Sequence, residues 1–258
     1  MSKGIIREDK ECVSTIFFDR LEKRNSLNAD ALFAFGDAIR AIEKDDNIRV
    51  VVLRGSGEKV FSSGVDLSDG PKEFARTIEG LEYSINSLIH YPLPVISMVF
   101  GPAIGAGLDF TVISDFRIAS DNAKFGAPLV KIGRTYYYTA IERLTRLIGL
   151  AAAKEMLLTG RLIDAVRAAE TGLAHRIVSP DKLETVTYEL ADEIAVEAAP
   201  MAVKVTKHTI KKLFEESRLD PGLEKELHSL VEKINDSSDA REGVRAMLEK
   251  RKPVFTGK

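Results

Sequence analysis

The 258-residue chain is 45% hydrophobic and 29% charged, with 37 basic against 39 acidic residues and a net charge of −2. That profile fits a globular protein with a sizeable core, and the near balance of charge removes any electrostatic case for nucleic acid or an anionic membrane surface. A single cysteine, Cys12, excludes an intramolecular disulfide and a thiolate metal cluster.

Met1 to Asp9 becomes charged before any apolar stretch develops, so neither a signal peptide nor a transit peptide is expected. No uncharged run approaches the ~18 residues of a membrane span. The expected compartment is the cytoplasm. Cys12 to Phe18 is rich in β-branched and aromatic residues and reads as a strand. Asn28 is placed to cap a helix whose Leu32, Phe35, Ile39 and Ile42 form one face. Arg49 to Leu53 and Pro94 to Val99 are short apolar runs, read as buried parallel strands, and Asp115 to Ala119 is a further strand. This βα alternation predicts an α/β fold with parallel sheet.

Beyond Gly149 the pattern changes. Ala151 to Thr159 reads as helix, Asp164 as the cap of a short helix, and Ala174 to Val178 as a last strand. From Asp181 only helix signals remain, with Pro200 and Pro221 opening helices and Asp239 capping the last. The division expected is a β/α core over 1–198 and a helical region over 199–258, which must pack on the core or on a partner to bury its apolar side chains.

Two segments carry chemistry. The first is Phe61-Ser62-Ser63-Gly64-Val65-Asp66-Leu67, where Gly64 permits an unusual backbone turn and leaves the Val65 amide free to face a ligand. The second is Gly101-Pro102-Ala103-Ile104-Gly105-Ala106-Gly107-Leu108-Asp109, a glycine-rich turn running into an apolar helix whose N-terminus suits an anion, with the Ala106 amide as donor. The plain alternatives are a strand-to-helix loop and a packing turn. A dinucleotide loop is excluded because Phe110 stands where the third glycine of G-x-G-x-x-G belongs. The four histidines, His90, His175, His208 and His228, form no metal-binding spacing, and no metal is expected. Ser62 and Ser63 lie in no nucleophile elbow.

These segments, in this order, resemble the crotonase superfamily, also called the enoyl-CoA hydratase/isomerase family. The likeness extends through Arg24-Asn25-Ser26-Leu27-Asn28, Phe125-Gly126-Ala127-Pro128, Ala165 to Val178, and Glu249 to Phe255. It implies a spiral of ββα units, a C-terminal helical trimerisation region, and a homotrimer or dimer of trimers. The implied ligand is an acyl-CoA substrate, with no cofactor beyond the coenzyme A that the substrate carries. The amides of Val65 and Ala106 would form an oxyanion hole. Ser63, Gly64, Asp66, Leu67, Gly105, Leu129 and Arg134 would surround the substrate. Lys23 and Arg24 would meet its nucleotide end, joined by Lys252 or Lys250 from a neighbouring subunit.

Two positions depart from the family pattern. Hydratases of the family use two glutamates; here the first position holds Asp109, one methylene shorter, and the second holds Leu129, which cannot move a proton. Asp109 is the candidate acid/base, or pairs with an arginine such as Arg143. Tyr136 is the second polar group, placed like a tyrosine of the methylmalonyl-CoA decarboxylase branch; its phenol would orient a departing carboxylate and Arg134 would bind it, although that branch has a histidine where Val65 stands. The expected reaction is therefore an atypical hydration/dehydration or isomerisation of an enoyl-CoA, with decarboxylation or a silent CoA-binding scaffold as alternatives.

Overall fold

A computed structural model describes residues 4–68, 70–215, 235–251 and 253, with isolated positions at 222, 225, 228, 229 and 232. Its centre is a six-stranded sheet in the order β1-β2-β3-β4-β6-β9. The strands are β1 (Ile5–Lys10), β2 (Val13–Phe18), β3 (Val50–Gly55), β4 (Val95–Val99), β6 (Phe116–Ser120) and β9 (Arg176–Val178). Only β1 runs antiparallel to its neighbour; every other pairing is parallel, with Val13 opposite Val50, Val51 opposite Val95 and Ile96 opposite Phe116. A small second sheet, β5 (Pro102–Ile104), β7 (Lys124–Gly126) and β8 (Ile163–Asp164), sits beside it.

Parallel strands bury both faces, and β3 shows how. Val51 and Leu53 join the cluster that holds Phe18, Phe35, Phe61 and Phe110, whereas Val50 and Val52 join the opposite cluster with Ile96, Met98 and Ile118. The first face is covered by α1 (Ala29–Ile42), α2 (Pro71–His90) and α3 (Ala106–Ile113), the second by α6 (Pro180–Glu197) through Leu183, Ala191 and Ala195. Four fully buried phenylalanine rings, Phe18, Phe35, Phe61 and Phe110, pack against one another at centroid distances of 4.8–5.7 Å. Each such ring contributes about 1.5–3 kcal/mol; Phe61 opens the first of the two site segments and Phe110 directly follows the second.

The Asn28 side chain accepts from the Ala31 amide and caps α1, and Asp164 caps α5 (Ala165–Glu170) through the Arg167 amide. Helix α4 (Tyr138–Thr159) breaks at Gly149, where φ is 79° and ψ 157°. Helix α7 (Pro200–Glu215) is tied to the core by Lys207, which donates to Leu93 O at 2.8 Å and to Asp115 Oδ2 at 2.6 Å. The last helix described is α8 (Ser238–Leu248), and its cap is Ser237, whose hydroxyl accepts from Ala240, rather than Asp239; that aspartate lies inside the first turn. Pro221 and Lys252 lie outside the described residues. Two elements have weak sequence signals: β1, whose Arg7 to Lys10 stretch is wholly charged, and the amphipathic α2, whose apolar and polar residues balance. Among the described residues no helix is long and apolar enough to cross a membrane.

Candidate active site

The two glycine turns lie side by side because their flanking residues pair like strands. Phe61 N and Ser62 N donate to Pro102 O, and Ile104 N donates back to Ser62 O at 2.9 Å. At the first turn Gly64 has φ 91°. Its carbonyl accepts from Leu27 N at 2.8 Å, and Asp66 N donates to Leu27 O at 2.9 Å. These bonds occupy the residues on either side of Val65 and leave the Val65 amide without an acceptor among the described residues. Ser62 adds a brace, donating from its hydroxyl to Asn25 O at 2.8 Å and accepting from Gly64 N.

At the second turn Gly105 adopts φ 55° and ψ −118°, a conformation that needs glycine. Ala106 then opens α3, 6% exposed, and its amide likewise donates to no acceptor among the described residues. The helix lends that end a partial positive charge. Its far end is closed by Arg117, whose guanidinium donates to Thr111 O at 3.0 Å, to Ser114 O, and to Leu173 O at 2.6 Å. Burial pushes the Arg117 pKa down to about 10. The turns touch: a Cβ built on Gly64 would lie 2.8 Å from Ile104 O and 3.5 Å from Ala106 N, and one on Gly105 would lie 3.9 Å from the Gly64 Cα. Two unspent amides thus flank a single glycine–glycine contact.

One turn along α3, Asp109 is 4% exposed and bound to Arg143 of α4, which donates from Nε to Oδ1 at 3.1 Å and from Nη2 to Oδ2 at 2.7 Å. The pairing with Arg143 is therefore present. Burial raises the Asp109 pKa above the ordinary carboxylate range, and Arg143 offsets part of that rise. Tyr136, 8% exposed, donates its hydroxyl to Gly105 O at 2.6 Å. Burial, followed by the neighbouring Asp109 charge, holds its pKa well above the usual phenol value.

The remaining candidates divide. Lys23 and Arg24 are brought to the rim of the Gly64 turn, since Ser63 N donates to Arg24 O at 3.1 Å and Ser63 Oγ to Lys23 O at 3.4 Å; both cationic side chains are exposed. The Asp66 carboxylate is engaged as a brace, accepting from Arg20 at 3.1 Å, from Ser26, and from the amide and hydroxyl of Ser68. Burial opposes its ionisation, but these donors together outweigh that and hold its pKa below the ordinary value. Leu67 is half-buried, as is Leu129, which sits in a 3-10 turn over Pro128–Ile132 and packs against the core. Arg134 follows that turn; its guanidinium stacks 4.3 Å over the Phe74 ring, at the start of α2, and its buried Nε has no hydrogen-bond partner among the described residues. Burial lowers its pKa. Arg20 and Phe74 emerge only here, as does the bracing role of Asn25. Asn25 donates to Ser56 O and Val60 O and so shapes the approach to Gly64. Among the described residues no three His, Cys, Asp or Glu side chains gather as a metal site.

Residues 8–258 match the family model described as enoyl-CoA hydratase/isomerase. The chain is 35% identical over 255 residues to the short-chain-enoyl-CoA hydratase of Clostridium acetobutylicum, covering 96% of each. It is 34% identical over 250 residues to the (E)-benzylidenesuccinyl-CoA hydratase of Thauera aromatica, covering 95% of this chain and 96% of that one. Among solved structures, a methylmalonyl-CoA decarboxylase superposes with a TM-score of 0.89 at 30% identity over 98% of each chain. An enoyl-CoA hydratase from Bacillus anthracis gives 0.79 at 30% identity over 99% of this chain and 100% of that one. The chain belongs to the enoyl-CoA hydratase/isomerase family and has the crotonase fold.

Proposed function

We propose that the protein is an acyl-CoA-processing lyase or isomerase that stabilises the enolate of a CoA thioester with the Val65 and Ala106 amides. The observation that carries this reading is the pair of unspent amides flanking the Gly64–Gly105 contact, one of them at the positive end of α3. Donors fixed before reaction, in a dry site, are worth about 3–4 kcal/mol each to a developing oxyanion. Exposed Lys23 and Arg24 at the rim suit the phosphates of coenzyme A. The reading includes assembly as a homotrimer or dimer of trimers through the 199–258 region, supported by exposed Met201, Val205 and Ile210 on α7.

Within that chemistry, decarboxylation of a malonyl-type thioester has the best geometric support. The bond from the α-carbon to the carboxylate breaks, carbon dioxide leaves, its electron pair becomes the enolate, and a proton is then added at carbon; the first step needs no protein base. A two-carboxylate addition of water is poorly supplied, because Leu129 occupies one position and both oxygens of Asp109 face Arg143. Arg134 has no ionic partner among the described residues and suits a substrate carboxylate. A second reading, hydration or isomerisation of an enoyl-CoA with Asp109 as sole acid/base, is favoured by the activities of the sequence relatives and by the raised Asp109 pKa.

The experiment is to incubate the protein separately with methylmalonyl-CoA, crotonyl-CoA and a 3-enoyl-CoA and follow products by mass spectrometry. Loss of carbon dioxide is the expected outcome. Gain of water or a moved double bond establishes the second reading, and tight CoA binding with no turnover leaves only a scaffold.

A further inference from the structure

The Tyr136 hydroxyl donates to Gly105 O, and that atom belongs to the peptide unit of the second donor. Gly105 O and Ala106 N lie in one planar trans peptide, so their C=O and N–H vectors point in opposite directions and turn together. Whatever holds the carbonyl therefore aims the amide. The unit has reason to be soft. Gly105, with φ 55° and ψ −118°, has no side chain to restrict rotation of the plane that follows it. Its own N–H is fixed on Gly126 O at 2.9 Å, which anchors the preceding peptide and not this one. On the carbonyl side two donors meet: the Asp109 amide at 3.1 Å, as the first bond of α3, and the Tyr136 hydroxyl at 2.6 Å.

We infer that Tyr136 is a positioning residue, whose hydroxyl on the Gly105 carbonyl locks the Gly105–Ala106 peptide with its N–H aimed at the thioester oxygen. The same bond polarises the amide and makes the Ala106 N–H a stronger donor, by roughly 10–30% per bond in such chains. Its proton is committed to the carbonyl, and burial beside Asp109 makes the phenol reluctant to ionise, so Tyr136 does not serve as the proton donor to substrate. This inference rests on the proposed enolate chemistry for the role of Ala106.

The test reads carbonyl polarisation without turnover. 4-(Dimethylamino)cinnamoyl-CoA absorbs at longer wavelength when its thioester oxygen is hydrogen-bonded. The wild-type protein should shift it to the red. Tyr136→Phe should lose at least half of that shift and lower kcat about tenfold with KM unchanged, less than the loss of a whole donor. Its affinity for butyryl-CoA should stay within about twofold, and its pH–rate profile should keep both limbs. A full shift in Tyr136→Phe overturns the inference alone, as does a lost acidic or basic limb, which would mark the phenol as an acid/base. Absence of any shift in the wild type overturns the enolate reading and this inference with it. Should Tyr136→Phe fail to fold, fluorination of the Tyr136 ring at carbon 3 keeps the shape and strengthens the donor; a larger red shift supports the clamp and an unchanged one refutes it.

Discussion

Arg143 holds Asp109 by both carboxylate oxygens, across the contact between α4 and α3. The carboxylate is buried while about a quarter of the Arg143 side chain is exposed. Removing the charge from one partner leaves the other uncompensated, and the partial exposure of Arg143 lowers that cost below the 3–5 kcal/mol of a fully buried pair. Asp109→Asn should therefore destabilise the protein by about 2 kcal/mol in urea titrations. The same variant separates the two reactions. Turnover of methylmalonyl-CoA should stay within about tenfold, whereas an acid/base role in crotonyl-CoA hydration predicts a loss of about 10²–10⁴.

Arg143→Ala leaves a buried carboxyl whose pKa is no longer offset. Burial already raises Asp109 above its unfolded value, so the folded state holds its proton to higher pH than the unfolded state does. Stability from this group is then complete below the unfolded value of about 4 and falls as pH rises toward the folded value. The variant should be closest to wild type in acid and fall progressively behind as pH rises toward neutrality. Thermal melts across that range check the sign, and a deficit that grows on acidification would refute it.

Gly64 has no room for a methyl group. Gly64→Ala would place Cβ 2.8 Å from Ile104 O at a φ of 91°, and push the two turns apart. Strain of about 1–3 kcal/mol is expected, with turnover falling at least 100-fold as an oxyanion donor is displaced. A steady-state assay and a melt, read together, distinguish a misplaced donor from simple unfolding.

Arg134→Gln should weaken binding of malonyl-CoA at least tenfold and leave butyryl-CoA within about twofold, since a charge-assisted hydrogen bond is worth about 1.5–3 kcal/mol. Calorimetric titration with both esters measures the contrast. Equal losses for the two would place Arg134 in the packing of Phe74 rather than at the substrate.

Much of this architecture can be read from local pattern. Apolar runs of strand length marked β2, β3, β4 and β6, and the Asn28 cap announced α1, because each signal is confined to a few neighbouring residues. Gly64 and Gly105 stood out for the same reason. Arg20, Phe74 and the bracing role of Asn25 did not, since they depend on partners such as Asp66, Arg134 and Val60 that are between 35 and 60 positions away. The arginine beside Asp109 was one of several open possibilities until folding brought α4 across α3. The last cap moved from Asp239 to Ser237 because both are capping residue types, and local composition does not choose between positions two apart.

The break in α4 divides that helix into two stretches with separate tasks. A methyl group on Gly149 would meet nothing within 4 Å, so the glycine there answers to torsion and not to space. The segment before it presents Arg143 to Asp109, and the segment after it buries Ala153 and Met156 in the core while Leu150 and Leu158 stay exposed. Because the chain turns at Gly149, one half of the helix meets Asp109 while the other seats Ala153 and Met156 in the interior along a separate axis, so a single torsion sets both engagements.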